Sequence, residues 1–167
     1  MSNSNQVLSE VIARHGNPLA AGSADESAAI DRFKAFFATF SPDKVDKLLA
    51  LTYAEDAYFN DTLKEIRGLA QLAPYLRHSA EAVEACRVEV HDVTRNAGGD
   101  FFVRWSMMIR FKRFAKGVDT WSIGVSHLRF DAAGKVVFHQ DYWNAADGLF
   151  QYVPLLGGMI RWIKKKL

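Results

Sequence analysis

Cysteine is almost absent from this chain of 167 residues, in which Cys86 is the only one. A single cysteine excludes an intrachain disulfide, and no Cys/His cluster has the spacing of a zinc site. A zinc site of that kind is therefore not expected.

An excess of charge of either sign is also lacking, since 21 basic and 19 acidic residues leave a formal net charge of +2. Aromatic residues are not interleaved with basic ones, so nucleic acid is not an expected partner. No apolar run approaches the roughly 20 residues of a membrane-spanning helix. The N-terminus has no basic region followed by an apolar core, as a secretory signal has. We expect a cytoplasmic protein.

The length and an apolar content of 49% favour one domain with one core. Residues 1–24 mix Ser, Asn and Gly with a short apolar patch, which predicts a loosely attached N-terminal arm with one or two helical turns. The domain itself is expected at 25–147. Residues 148–167 form an apolar tail.

The first half of the domain has helical patterns. Ser23 to Glu26 fits a capping box, and the phenylalanines behind it recur at helical spacing. Ser41 followed by proline is a second helix start. These signals predict helices at about 26–40 and 43–51, and a third helix that begins or kinks at Pro74.

The second half has the alternation of strands. A short strand near 57–61 precedes the third helix, and residues 63–67 could pair back on it. Long strands follow at about 101–111 and 119–130, and Asp131 opens a turn into another strand. This order predicts an α+β fold in which helices cover one face of a curved antiparallel sheet.

The last strand places a titratable group and a carboxylate side by side. His139, Asp141 and Trp143 share one face because side chains alternate along a strand. A buried carboxylate needs a hydrogen-bonding partner. Asp141 therefore belongs either to a structural network held by His139 or to a ligand pocket.

The tail ends in Lys164, Lys165 and Lys166, and residues 155–166 are predicted to be helical. Two interpretations remain open. The favoured one docks the tail on the protein's own core or on a partner subunit, since Pro154 interrupts any longer amphipathic helix. The other is peripheral membrane contact, with lysines on anionic head groups.

The order helix, helix, short strand, helix, long meander resembles the nuclear-transport-factor-2-like superfamily. Residues 53–61 and 127–137 are similar to segments of its ketosteroid isomerase branch. The resemblance covers about 26–147 and implies a cone-shaped, cystatin-like α+β barrel with three N-terminal helices packed into the concave face of the sheet. It also implies a homodimer formed through the convex face, which would carry Arg104, Gln140 and Tyr142.

The same resemblance assigns roles to single residues. Asp61 lies where the family has its proton-shuttling carboxylate, and Tyr53 where it has a supporting tyrosine. Ser126 replaces the acid that donates to the oxyanion, and Phe36 or Phe37 replaces the tyrosine donor. Because loss of one such donor commonly slows a reaction about a hundredfold or more, steroid isomerisation is not expected.

Without the two oxyanion donors, the pattern is more similar to the SnoaL-like polyketide cyclases, in which a carboxylate in an apolar cone moves a proton next to a carbonyl. On this hypothesis the protein is an isomerase, cyclase or dehydratase that acts on a small apolar molecule without a metal or an organic cofactor. Asp61 is expected to line a cavity with Asp141 and Trp143. The expected catalytic residues are Asp61, His139 and Asp141, and the expected substrate-binding residues are Tyr53, Phe59, Trp105, Ser126 and Trp143.

A second hypothesis remains open, in which the domain is a non-catalytic ligand-binding or dimerisation module. The register of the last hairpin also has two solutions. A two-residue loop places Ser126 opposite His139, whereas a glycine bulge at Gly134 places His127 there. We choose the first because it keeps Ser126 in the pocket.

Overall fold

A computed structural model describes residues 4–113 and 115–166, without the side chain of Arg161. This part of the chain forms six α-helices and six strands. The helices are Ser4–His15 (α1), Ala24–Ala38 (α2), Pro42–Thr52 (α3), Leu69–Glu81 (α4), Ala145–Gly148 (α5) and Leu156–Lys166 (α6), with a 3₁₀ turn at Phe150–Tyr152. The strands are Tyr53–Asn60 (β1), Glu65–Arg67 (β2), Val83–Arg95 (β3), Phe101–Phe111 (β4), Thr120–Phe130 (β5) and Val136–Trp143 (β6).

The six strands form one curved sheet in the order β2-β1-β6-β5-β4-β3. The α+β class is confirmed, but the sheet is mixed because β1 and β6 run parallel, with Phe59 opposite His139. The sheet is curved and not closed. A parallel pair needs a long connection, and here the chain between β1 and β6 contains the other strands and α4.

Three helices cover the concave face of the sheet, as expected. Phe33 and Phe36 of α2, Leu49 of α3 and Leu72 of α4 are buried in one core with the inward side chains of the strands. Both predicted helix starts are confirmed. The hydroxyl of Ser23 accepts a hydrogen bond from the backbone N–H of Glu26, and that of Ser41 accepts one from Lys44.

The first helix lies on the other face of the sheet and is longer than one or two turns. Val7 and Val11 of α1 pack with Tyr58 and Phe138 in a second buried cluster. Both aromatic residues neighbour cavity-facing residues along their strands, so alternation turns them outward. The N-terminal segment thus covers part of the convex face.

Both expected registers of the last hairpin are wrong. Ser126 pairs with Asp141, whereas Leu128 pairs with His139. Two irregularities cause the shift. Gly134, at a positive φ of 72°, adds one residue to the turn, and a bulge next to Phe130 adds a second. Ser126 nevertheless keeps its orientation toward the cavity, because a shift of two residues preserves the face.

The expectation that Gln140 lies on an available convex face is also corrected. Only 6% of Gln140 is exposed, and its amide donates hydrogen bonds to the backbone carbonyls of Asn60 and Asp141. Tyr142, two residues further along β6, is 52% exposed. The exposed part of this face therefore begins beyond Gln140.

The predicted tail helix is confirmed by α6, but docking on the protein's own core is wrong. Leu155 is 95% exposed and Trp162 is 62% exposed. The main neighbour of α6 is the 3₁₀ turn of the same tail. Among the described residues, no helix combines the length and apolar character needed to cross a bilayer.

Candidate functional site

The concave face of the sheet and the helices above it enclose a cavity of about 270 Å³. Its walls are mainly aromatic and aliphatic. Phe33 and Phe37 come from α2, Phe59 from β1, and Met107 and Ile109 from β4. A cavity with such walls suits an apolar molecule, because burial of apolar surface favours binding and a few polar groups then set its orientation.

Asp141 is the polar centre of this cavity. Its Oδ1 atom accepts a hydrogen bond from the Ser126 hydroxyl at 2.5 Å and another from His139 Nε2 at 2.7 Å. Among the residues that the structure describes, none donates to Oδ2. The side chain of Asp141 is 15% exposed, whereas that of His139 is 2% exposed. Asp141 therefore presents one carboxylate oxygen that has no donor in the described part of the chain.

The hydrogen bonds around Asp141 all run toward it. Tyr53 Oη lies 2.7 Å from His139 Nδ1, and Trp105 Nε1 donates to Ser126 Oγ at 2.9 Å. Burial, with a further contribution from the charge of Asp141, raises the pKa of Tyr53 well above its ordinary value. Tyr53 therefore stays protonated. Because the carboxylate of Asp141 can only accept, the neutral imidazole carries its proton on Nε2, and Tyr53 donates to Nδ1.

Aromatic rings hold the imidazole of His139 in place. The rings of Phe33, Phe37 and Phe59 meet it edge to face, with centroids 4.9–6.0 Å away. The Tyr53 ring stacks on it at an interplanar angle of 11°. This packing leaves the imidazole no other orientation, so Nε2 stays directed at Asp141.

Asp61 lies at the same cavity, directly after β1. Its Oδ1 accepts hydrogen bonds from the backbone N–H groups of Leu63 and Lys64, and its Oδ2 accepts one from the Tyr75 hydroxyl. Burial, together with the hydrogen bond and charge of Asp61, raises the pKa of Tyr75. Both oxygens of Asp61 therefore have protein donors, whereas Asp141 Oδ2 has none among the described residues.

Two tryptophans complete the wall between these carboxylates. Trp143 Nε1 donates to the backbone carbonyl of Asp61 at 2.8 Å, which ties the end of β6 to the end of β1. Trp105 and Trp143 flank Gly124, where an added Cβ would lie 2.5 Å from the Trp105 ring. The absence of a side chain at Gly124 leaves room for both indoles.

The structure thus brings together all the expected site residues except one. Asp61, Phe59, Trp105, Ser126, His139, Asp141 and Trp143 line the cavity. Tyr53 is fully buried behind His139 and contacts it instead of the cavity. Tyr75 was missed, although its position on α4, beside the core residues Leu72 and Leu76, is a signal that it faces inward.

Neither the thiol nor a metal-ligand cluster adds chemistry here. Burial raises the pKa of Cys86 to about 12, so its thiol stays protonated at neutral pH. Within the described part of the chain, no group of three His, Cys, Asp or Glu side chains could hold a metal ion.

Fold and site together define a pocket-bearing α+β domain with a carboxylate–imidazole pair and a second carboxylate in a mainly apolar cavity. The sequence model of the SnoaL-like domain matches residues 33–139, which includes Asp61, Ser126 and His139. The chain belongs to the SnoaL-like domain family. The search of curated proteins gave no match.

Solved structures with the same fold confirm the nuclear-transport-factor-2-like architecture. A proposed isomerase from Bacillus subtilis has a TM-score of 0.62 at 18% identity, over 73% of this chain and 90% of its own. An epoxide hydrolase of the LEH-like type from M. tuberculosis has a TM-score of 0.59 at 17% identity, and the match covers 86% of this chain and 98% of the hydrolase. A proposed SnoaL-like polyketide cyclase from Shewanella putrefaciens CN-32 has a TM-score of 0.60 at 15% identity, over 75% and 93%.

Proposed function

We propose that this protein is a cofactor-independent proton-transfer enzyme, an isomerase, cyclase or dehydratase, that acts on an apolar carbonyl compound. One observation carries the proposal: Asp141 sits at the wall of an apolar cavity with two donors on Oδ1 and no described protein donor on Oδ2. A carboxylate that is oriented by its neighbours and retains an uncommitted oxygen is suited to act as a general base.

In this mechanism Asp141 Oδ2 takes a proton from the carbon next to the carbonyl. The products of that step are an enolate and a neutral Asp141, and the proton then returns to the same carbon or to another one. His139 and Ser126 keep the carboxyl group oriented through both steps, because each donates to Oδ1. Tyr53 fixes the imidazole tautomer that makes the donation from Nε2 possible.

Asp61 has a supporting role in this proposal, through Tyr75. Its carboxylate holds the Tyr75 hydroxyl at the cavity, and Tyr75 can turn its proton from Asp61 to the carbonyl oxygen of a bound substrate. A donor at that oxygen stabilises the enolate as it forms. Trp105, Trp143 and Phe59 then position the apolar body of the substrate.

Exchange of carbon-bound hydrogen tests this proposal without knowledge of the natural substrate. The protein is incubated in D₂O with 2-tetralone, a bicyclic ketone with acidic protons next to its carbonyl, and NMR follows deuterium incorporation. Exchange should exceed that of buffer and fall about a hundredfold or more in Asp141→Asn. Asp31→Asn is the matched control, because the side chain of Asp31 is 75% exposed on α2.

The non-catalytic hypothesis predicts a different result. If 2-tetralone binds, as shown by line broadening of its NMR signals, but exchanges no faster than in buffer, the protein is a binding module and the enzyme proposal is wrong. Equal exchange by wild type and Asp141→Asn would also contradict the assignment of Asp141 as the base.

We further propose a homodimer that forms through the outer face of β5 and β6. Trp121 and Ile123 are 61% and 71% exposed there, next to the half-exposed Tyr142. A strip of large apolar side chains on a sheet face is typical of an interaction surface. Light scattering after size exclusion should give a dimer for wild type and a monomer for Ile123→Lys. A monomeric wild type would contradict this proposal.

A further inference from the structure

The C-terminal helix α6 has two chemically different sides. At 100° per residue, Leu156, Met159, Ile160 and Ile163 occupy one sector of the helix, and Trp162 lies at its edge. Lys165 lies opposite this sector, and Lys164 and Lys166 lie at its two borders. Such a division between an apolar and a basic side is typical of helices that lie in the plane of a membrane surface.

Part of the apolar side of α6 is uncovered, whereas Leu156 and Ile160 are half-buried. Met159 is 53% exposed, Trp162 is 62% exposed and Ile163 is 42% exposed, and Leu155 just before the helix is 95% exposed. The helix lies against the 3₁₀ turn, and Lys164 forms an ion pair with Asp147 of α5. The tail is therefore attached to the domain at its base, while Met159, Trp162 and Ile163 remain exposed.

All the charged side chains of the tail are basic. Residues 148–167 contain Arg161, Lys164, Lys165 and Lys166 and no Asp or Glu. The three lysines also occupy the last turn of α6, where the carbonyl end of the helix favours cations. A partner surface that covers this helix must accept apolar side chains and must also supply negative charge.

We propose that α6 binds to an anionic lipid surface. Eleven residues make a helix about 16 Å long, which is too short to span a bilayer but long enough to lie in its interface. The apolar side enters the acyl boundary, Trp162 lies at the head-group level, and the lysines contact anionic head groups.

A second copy of the chain fits this helix less well. If two α6 helices pack in parallel, their lysine clusters meet each other. If they pack antiparallel, each cluster meets the N-terminal end of the other helix, which carries partial positive charge. With no acidic residue in α6, neither arrangement offers the lysines a partner.

Co-sedimentation with vesicles tests the proposal on the full chain. Vesicles contain either 30% phosphatidylglycerol in phosphatidylcholine or phosphatidylcholine alone. We expect the protein to pellet with the anionic vesicles in 50 mM salt and to be released in 500 mM salt. Replacing Lys164, Lys165 and Lys166 by Gln should weaken binding about a hundredfold, at about 1 kcal/mol for each lysine.

Two further variants separate charge from insertion. The triple change of Lys34, Lys47 and Lys116 to Gln removes the same net charge from other positions and should leave binding unchanged. Met159→Gln with Ile163→Gln retains every lysine and should still abolish binding, because the apolar side is lost. Thermal melts should stay close to wild type in all three, because the substituted side chains are exposed and the surface ion pairs of Lys34, Lys47 and Lys164 contribute little to stability.

Three results would overturn the proposal. One is absence of the wild-type protein from the anionic pellet at 50 mM salt. Another is equal loss of binding in the two lysine triple variants, which would show a general charge effect. The third is a dimer that dissociates on the change of Met159 and Ile163 and does not bind vesicles, which would assign the helix to a second copy.

Discussion

Ser126 and Asp141 face each other across β5 and β6, and the serine hydroxyl donates to Asp141 Oδ1 over 2.5 Å. Ser126 Oγ also accepts a hydrogen bond from Trp105 Nε1, so one hydroxyl connects the indole wall of the cavity to the carboxylate. Its lone pair and its proton thus have different partners. Removal of this hydroxyl should therefore affect both Trp105 and Asp141.

Ser126→Ala should destabilise the protein by about 1–3 kcal/mol, because the buried Trp105 N–H loses its acceptor. Deuterium exchange into 2-tetralone should also slow, although less than in Asp141→Asn, because His139 still orients the carboxylate. Urea unfolding and the exchange assay measure the two effects.

Ser79→Ala is the matched control for this change. Ser79 lines the same cavity, but its hydroxyl donates to the backbone carbonyl of Tyr75 within its own helix. Its loss should change stability by less than about 0.5 kcal/mol. Equal effects of the two substitutions would show that the contact of Ser126 with Asp141 has no special role.

Tyr53→Phe should destabilise the protein by about 1–3 kcal/mol, because His139 Nδ1 stays buried without its donor. Nitrogen NMR of the imidazole should show Nε2 protonated in wild type and a change of its signals in the variant. Tyr142→Phe, at an exposed tyrosine of β6, is the control and should alter neither measurement. Unchanged imidazole signals in Tyr53→Phe would contradict the assigned tautomer.

The sequence predicted which side chains share the cavity but not which of them touch. Alternation along β6 placed His139 and Asp141 on one face, and that result is independent of the hairpin register. The contact of Ser126 with Asp141 depends on two irregularities in the hairpin. Gly134 marks the first in the sequence, but the bulge after Val136 has no comparable signal. Residue type alone therefore could not fix the partner of Ser126.

Contacts across distant segments were the other part that local patterns could not give. The parallel pairing of β1 with β6 brings Tyr53 behind His139, 86 residues away in sequence. Helix periodicity predicts that α4 buries one side, but not that Tyr75 reaches Asp61. The face of a residue follows from local chemistry, whereas its partner follows from the topology of the whole sheet.

A separate ion pair on the outer face of the sheet provides a pH-dependent prediction. Arg129, whose side chain is 4% exposed, donates to Asp100 Oδ1 at 2.7 Å and to the backbone carbonyl of Gly98. Burial alone would raise the pKa of Asp100, but His127 at 3.7 Å, Arg129 and the side-chain amide of Asn96 together lower it to about 2. The ordinary pKa of an aspartate is about 3.9, so the folded protein favours the charged form of Asp100.

Asp100→Asn should destabilise the protein by about 3–5 kcal/mol at pH 7, because it leaves the buried Arg129 without its counter-charge. The folded pKa is depressed, so the stabilisation from Asp100 is present above about pH 4 and is lost as pH falls toward 2. The difference in unfolding free energy between wild type and variant should therefore shrink over that interval. Urea titrations at pH 7, 4 and 2.5 measure it, and a difference that stays constant would contradict the low pKa.

The last prediction concerns Gly124, which lies between Trp105 on β4 and Trp143 on β6. A Cβ at this position would lie 2.5 Å from the Trp105 ring and 2.8 Å from the Cβ of Trp143, so both indoles must move in Gly124→Ala. We expect a loss of about 1–3 kcal/mol in unfolding free energy, since overpacking strains a filled wall. The near-ultraviolet circular dichroism of the tryptophans should change, and 2-tetralone should bind more weakly. Gly158→Ala is the control, because an added Cβ there meets nothing within 4 Å and alanine favours the helix. If Gly124→Ala keeps the stability and the tryptophan spectrum of wild type, Gly124 does not set the positions of the two indoles at the cavity.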